Sequence, residues 1–364
     1  TSRASRVYVG ANDGYLHAFD GLTGEESWAY APRFLMPGLY QLGDTGYSTA
    51  HRYYVDGSPE TGDVYDTTAG AWKTILVGGA GGGGRGFYAI DITSASAPKG
   101  MWEFCNDSTL CATSDVDLGL AYGNPVIGKR SYDGKWVVVV SSGLNNVSSG
   151  SGIGYFYVLD AITGAVLNKI STGVGSAGTP SGLMKMSAYY DSAATDATFR
   201  YIYAGDQLGN VWRLDVNTAT PTVLHITTLK DGSSPARAQP ITTRPALTHI
   251  GSDRILYIGT GRFLGSPDLN DPGAASGISW QQTLYGFKDR DTDYSATYAS
   301  LRADTRMVAQ TLSSLSPTTR GISNNAVDWG TKSGWYVDFN PTFSGTSNSP
   351  GEGVNLVDPR LVLG

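Results

Sequence analysis

The chain has 364 residues, 40% of them hydrophobic and 16% charged, with 48 glycines and a formal net charge of −6. That is ample apolar material for a large buried core, and the glycines show no three-residue period, so collagen is excluded and a turn-rich globular chain is indicated. Without a basic run or a Lys/Arg stripe there is no electrostatic footprint for nucleic acid or anionic lipid, and no apolar run approaches the ~20 residues that span a bilayer.

Twenty-two tyrosines, with many Val, Ile, Thr and Trp residues, suit pleated and half-buried surfaces. The first segment, "RVYVGANDGYLHAFDGLTGEESW", reads as strand, turn, strand, Thr-Gly turn and tryptophan. The same order of parts returns in "KTILVGGAGGGGRGFYAIDITSASAPKGMW", "KWVVVVSSGLNNVSSGSGIGYFYVLDAITGAVL" and "RYIYAGDQLGNVWRLDVNTATPTVL", and less cleanly from "DRILYIGTGRFLG" to "TLYGFKD". The second strands are of the general type Gly-x-aromatic-x-x-Asp, met residue for residue by "GFYAID" and loosely by the others, and the copies end at Asp20, Asp91, Asp160, Asp215 and Asp289.

Each copy supplies the middle hairpin of a small antiparallel sheet that cannot bury both faces alone. Stacking such sheets around an axis buries them against one another, so the expected fold is all-β, a modified β-propeller. The intervals between copies exceed a blade of ~40 to 45 residues, which predicts long insertions or blades that have lost the pattern. On this hairpin Asp20 and Asp160 accept backbone N–H bonds in the next turn, Gly24 and Gly164 supply positive φ, and Trp28, Trp102 and Trp212 wedge between blades.

Cys105 and Cys111, in "CNDSTLC", fit a local disulfide, with two free thiols in an exposed loop as the competing reading. A zinc site is disfavoured because it wants four ligands, and His17, His51, His225 and His249 are scattered. "VGGAGGGGRG" invites a phosphate-loop reading, but a strand, "FYAID", follows where a helix is needed, so it reads as a blade turn. Asp268, Asn270 and Asp271, and separately Asp289, Asp291 and Asp293, are oxygen clusters that could converge on a cation, with a solvated turn as the plainer reading. His51, Asp56, Glu60 and Asp63, in "HRYYVDGSPETGDVYD", suit a structural role.

No nucleophile elbow, His-Glu-x-x-His helix or Walker loop is present, and Cys105 and Cys111 are not the adjacent pair that lids a quinone cofactor. Residues 313–326 are the nearest thing to a linker, and the insertion 264–282 is a candidate contact surface. The terminal "LVDPRLVLG" reads as a strand whose hairpin partner has not arrived. Residues 1–364 are therefore expected to form a single propeller domain, as a piece of a longer protein that continues beyond Gly364.

The opening motif resembles the repeat of quinoprotein-type propellers. Together with "HRYYVDGSPETGDVY", "WKTILVGGAGGGGRGFYAIDIT", "YIYAGDQLGNVWRLDV" and "LVDPRLVLG", in this order, it resembles the C-terminal domain of PilY/PilC-type type IV pilus biogenesis proteins over nearly the whole chain. The resemblance implies about seven four-stranded blades in a non-enzymatic factor exported to the periplasm and outer surface, and the unpartnered "LVDPRLVLG" leads to the expectation that the last blade is incomplete here. It implies a domain that promotes pilus assembly against retraction or acts as a tip adhesin, with pilin or minor pilin subunits and a host surface as partners. It also implies a calcium loop, Asp-x-Asp-x-Asn/Asp-Gly-x-x-Asp, ahead of the strand reading "YAGD". Here "YYDSAATDATFRYIYAGD" keeps Asp191 and Asp196, the candidate calcium ligands, and lacks the glycine and the alternating carboxylates. The alternative functions are a quinoprotein-like dehydrogenase and an outer-membrane assembly scaffold of the same repeat.

Overall fold

The repeat resolves into paired strands in the computed structural model, which describes residues 4–192, 195–264, 268, 281–316 and 319–339. A three-stranded sheet, β1 (Arg6–Gly10), β2 (Leu16–Asp20) and β3 (Glu26–Tyr30), comes first. A second sheet holds β4 (Glu60–Asp66), β5 (Ala71–Gly79), β6 (Gly86–Asp91), β7 (Lys99–Cys105) and the short β8 (Thr113–Ser114), which runs parallel to β7. A third comprises β9 (Val126–Lys129), β10 (Trp136–Ser141), β11 (Ile153–Asp160) and β12 (Val166–Gly175).

The fourth sheet comprises β13 (Met186–Tyr190), β14 (Phe199–Gly205), β15 (Asn210–Asp215) and β16 (Thr222–Thr228), adjacent in that order. The fifth starts with β17 (Ala246–Ile250), β18 (Asp253–Gly259) and β19 (Thr283–Lys288). After β20 (Met307–Gln310) and a separate hairpin of β21 (Leu312–Ser316) and β22 (Thr319–Ile322), the chain returns with β23 (Gly334–Asp338). The resulting order is β17-β18-β19-β23-β20, with β20 parallel to β23. Helical structure among the described residues is confined to 3-10 segments, all short but the one running over Arg33–Gly43.

All five copies of the repeat fall on antiparallel pairs: β1 with β2, β5 with β6, β10 with β11, β14 with β15, and β18 with β19. The stretch 313–326, expected as a linker or loop, instead carries all but the first residue of the paired strands β21 and β22, in which Leu312 pairs with Ile322 and Ser314 with Arg320. Most of the insertion 264–282 and the whole of "LVDPRLVLG" lie outside the described residues.

The chain divides into two compact units, residues 1–201 with 215–222, and residues 202–214 with 223–364. In the first, Ile75, Val77, Phe87 and Ala89 form one cluster with Val138, Val140, Tyr157 and Leu159. The alternate residues Leu76, Tyr88 and Ile90 join Leu16, Phe34, Leu35 and Val55 in another. The central strands thus bury both faces, which is why they read as unbroken apolar runs where a half-exposed strand would alternate. In the second unit Ile255, Leu256, Ile258, Tyr285 and Phe287 of β18 and β19 are likewise buried.

The turn after each hairpin works as its sequence suggests. Asp20 accepts from the N–H groups of Leu22 and Thr23, and Asp160 from those of Ile162 and Thr163, at 3.0 to 3.2 Å. Asp91, Asp215 and Asp289 each accept from the N–H two residues on. Trp102 spans two sheets, its indole N–H donating to the carbonyl of Ala161 at 3.0 Å, and Trp28 packs beside the cluster that holds Tyr88 and Ile90. Trp212 is buried, and its N–H turns back to Asp206 at 3.0 Å, in the loop between β14 and β15.

Gly24 and Gly164 both adopt positive φ, 75° and 70°. A Cβ at Gly24 would meet nothing within 4 Å, whereas one at Gly164 would lie 2.5 to 2.7 Å from the Trp102 side chain. Gly24→Ala should therefore cost only the left-handed backbone penalty, about 1–2 kcal/mol. Gly164→Ala should add overpacking of about 1–3 kcal/mol. Thermal unfolding of the two variants checks this, and equal melting temperatures would show that the Trp102 contact is not tight.

Candidate functional site

Cys105 and Cys111 form a disulfide with their Cα atoms 5.9 Å apart, closing the loop that carries the chain from β7 back into the parallel β8. The oxygen clusters do not converge as alternation suggests. Asp289 accepts from Tyr203 at 2.7 Å, Arg213 at 2.6 Å and Arg254 at 3.3 Å. Asp291 is gripped by the same two arginines, which outweigh the effect of burial and hold its carboxyl below the ordinary range. Asp293 turns away to His225 at 2.9 Å and caps Ser295. Asp268 is held by Arg262 at 2.8 Å, while Asn270 and Asp271 lie outside the described residues.

Asp191 and Asp196 do share a cleft, of about 210 Å³, with Asp215, Ser131 and Asn217. Asp196 is already engaged: its Oδ1 accepts from the Thr198 N–H and hydroxyl at 3.0 and 2.7 Å, and the Lys129 ammonium lies at 3.2 Å. Thr198 first and Lys129 second hold its carboxyl below the usual range. Asp196 is thus held in an ion pair with Lys129, whose ammonium occupies the side of the carboxylate that a cation would need. Among the described residues no group of three or more His, Cys, Asp or Glu side chains is arranged to hold a metal ion.

A second charged network is equally self-contained. Lys169 donates to Asp115 at 2.9 Å and Asp117 at 2.7 Å and lies 4.3 Å from the Tyr155 ring centre. Burial alone would lower its pKa, but the two carboxylates override this and hold the ammonium above its ordinary range. In the second unit a cleft of about 440 Å³ beside β20 and β23 has Asp338 in its wall, paired to Arg302 at 2.9 Å.

Residues 31–59 join β3 to β4 without strand periodicity. A 3-10 segment, Arg33–Gly43, buries Phe34 and Leu35. Its first turn is clasped by Glu103 on β7, which accepts from the Tyr30 hydroxyl and the Arg33 N–H, both at 2.7 Å, and from the Phe34 N–H at 3.3 Å. Burial first, then the Glu103 carboxylate, raises the Tyr30 pKa well above its usual value, so this phenol remains a donor. Downstream, buried Tyr54 donates its hydroxyl to the Gly38 carbonyl at 2.9 Å.

Between this segment and the glycine-rich turn lies a cleft of about 370 Å³, lined by Phe34, Leu35, Gln41, Arg52, Tyr53, Tyr54 and the backbone of Gly82 and Gly83. A Cβ on Gly83 would sit 1.9 Å from the Tyr54 carbonyl oxygen, so the glycine run serves close backbone approach at this wall. Met36, Tyr40 and Tyr53 stand at the surface, 49%, 77% and 52% exposed. His51 lies between Tyr47 and Tyr53, with ring centres 5.6 and 5.3 Å away. Asp56 accepts from the Gly82 N–H at 3.1 Å and Asp63 from Thr74 at 2.6 Å, so His51, Asp56 and Asp63 serve separate contacts, and Glu60 opens β4. The available sequence signal was the run of Arg, Met and Tyr with Asp44 as its single acid across 31–55.

The family model described as the PilY1 beta-propeller domain matches residues 1–320 and so runs through both units. "Type IV pilus biogenesis factor PilY1" of Pseudomonas aeruginosa is 33% identical over an alignment of 402 positions, taking in 100% of this chain and 32% of the relative. A PilY1 homolog of Xylella fastidiosa is 34% identical over 294 positions, covering 80% of this chain and 22% of the relative. The chain therefore spans about a third or less of the length of these relatives. Among solved structures, the Pseudomonas aeruginosa PilY1 C-terminal domain matches with a TM-score of 0.69 and 30% identity, over 93% of this chain and 71% of that one. The chain belongs to the PilY1 β-propeller domain family.

Proposed function

We propose that the chain is the propeller domain of a type IV pilus biogenesis factor, acting by protein contact and not by catalysis. The observation that carries this reading is similarity over the full chain to relatives named as type IV pilus biogenesis factors. On this reading the domain works between the periplasm and the outer surface, and its partners are pilin or minor pilin subunits. No helix among the described residues is long and apolar enough to cross a membrane. Deleting the gene in the source bacterium should abolish surface pili, the full-length gene should restore them, and the polypeptide should be found in the sheared pilus fraction. Normal piliation after deletion would overturn the assembly reading and return attention to a quinoprotein-like enzyme, tested by cofactor reconstitution and its absorption spectrum.

Calcium at Asp191 and Asp196 belongs to the same proposal. The shared cleft with Asp215 supports it, and the Lys129 ammonium competes with it. Calcium at about ten times its dissociation constant should raise the melting temperature of the Lys129→Ala variant by about 2–4 °C, and that of the unaltered chain by less. The same rise after Asp196→Asn would place the ion elsewhere, and no shift in any of these chains would remove calcium from the reading.

A further inference from the structure

We infer that the face built by residues 33–53 around the 370 Å³ cleft is a docking surface for an acidic polypeptide segment of a pilus subunit, one carrying carboxylates beside an apolar side chain. This rests on the assembly reading above and adds to it a place and a recognition chemistry.

Composition gives the first argument. Protein interfaces are enriched in aromatic residues, Met and Arg and depleted in Lys, Glu and Asp, and residues 33–53 contain Arg33, Met36, Tyr40, Tyr47, Arg52 and Tyr53 with no Lys and no Glu. Met36, Tyr40 and Tyr53 are largely solvent-facing, although apolar and aromatic groups of this size gain from leaving water.

Charge supplies the second and fixes the partner's chemistry. The protein is acidic overall, with 32 Asp and Glu against 26 Lys and Arg, yet Arg52 lines this cleft and Arg33 stands exposed at the start of the segment that walls it. Neither guanidinium has a hydrogen-bond or ion-pair partner among the described residues. Asp44, the nearby acid in sequence, spends its carboxylate on the Gly46 N–H at 2.9 Å. A free guanidinium beside an apolar floor of Phe34 and Leu35 matches a carboxylate, which it can take in a bidentate fork, next to an apolar anchor that fills the cleft.

Rigidity supplies the third. The 3-10 segment is clasped by Glu103 at its start and by the Tyr54 hydroxyl at Gly38. A surface ordered before the partner arrives loses less conformational freedom on binding.

The test uses the full-length protein in its source bacterium, with the photoreactive residue p-benzoylphenylalanine at Tyr40 and, as control, at Tyr132, which is 53% exposed, belongs to the third sheet's β9–β10 turn and does not line the cleft. Irradiation should join the Tyr40 probe to a pilus subunit, at a segment holding Asp or Glu beside an apolar residue. The double substitution Arg33→Glu and Arg52→Glu should lower that yield about tenfold or more, and Asp or Glu to Lys in the partner segment should restore it. Both arginines are at the surface, so the melting temperature of the doubly substituted chain should match the original. Equal yields at Tyr40 and Tyr132, a yield indifferent to the double substitution, or adducts confined to proteins outside the pilus would each overturn the docking surface. Loss of pili on gene deletion with no specific adduct at Tyr40 would sink the docking surface alone, whereas unchanged piliation on deletion would remove the assembly reading beneath it.

Discussion

Strands with both faces withdrawn from water set the terms for the first unit. Ile75 and Val77 leave water on one side of β5 and Leu76 on the other, and Phe87 and Ala89 divide from Tyr88 and Ile90 in the same way on β6. A large apolar side chain fully buried in this way contributes about 1.5–3 kcal/mol, and a lone sheet could collect that on one face only. Neighbouring sheets must therefore lie close, and small residues are needed where backbone or rings approach. Gly164 against Trp102 and Gly83 against Tyr54 are two such places. The aspartate turn that ends each hairpin makes the pattern repeatable, because it satisfies backbone donors locally and leaves the strands free to stack.

This explains what could be read in the residues. The five hairpins were legible because an apolar strand, a glycine-bearing connection and a second strand leading into an aspartate encode local geometry, and local geometry survives packing. The bridge between Cys105 and Cys111 was legible as one of two readings for the same reason. What escaped depends on partners distant in sequence: β23 inserting between β19 and β20, the hairpin within 313–326, and Trp212 turning to Asp206. The carboxylates, readable either as a cation site or as a solvated turn, proved to be ion-paired. Spacing showed that Asp289, Asp291 and Asp293 alternate, but Arg213 and Arg254 arrive from other strands to claim two of them and His225 claims the third.

The candidate docking face was hidden differently. Its residues are ordinary in type and lie in a connection without strand periodicity, so pattern reading passes over them. Their meaning comes from what surrounds them: a glycine-lined wall, a buried phenylalanine and leucine below, and arginines without acids in a chain rich in acids. Catalytic chemistry has less to build on, since the charged networks beside Lys169 and Asp289 are internally paired.

Glu103 stands two residues before Cys105, on a strand whose end is closed by a covalent loop. A pull on the 33–43 segment is therefore not absorbed by slack in the long connection. It passes through the clasp on Tyr30, Arg33 and Phe34 into β7, and from there to a cross-linked anchor that does not extend. Mechanically, one carboxylate is the coupling pin between that surface segment and the strand beneath it, and its several hydrogen bonds would share any load between them.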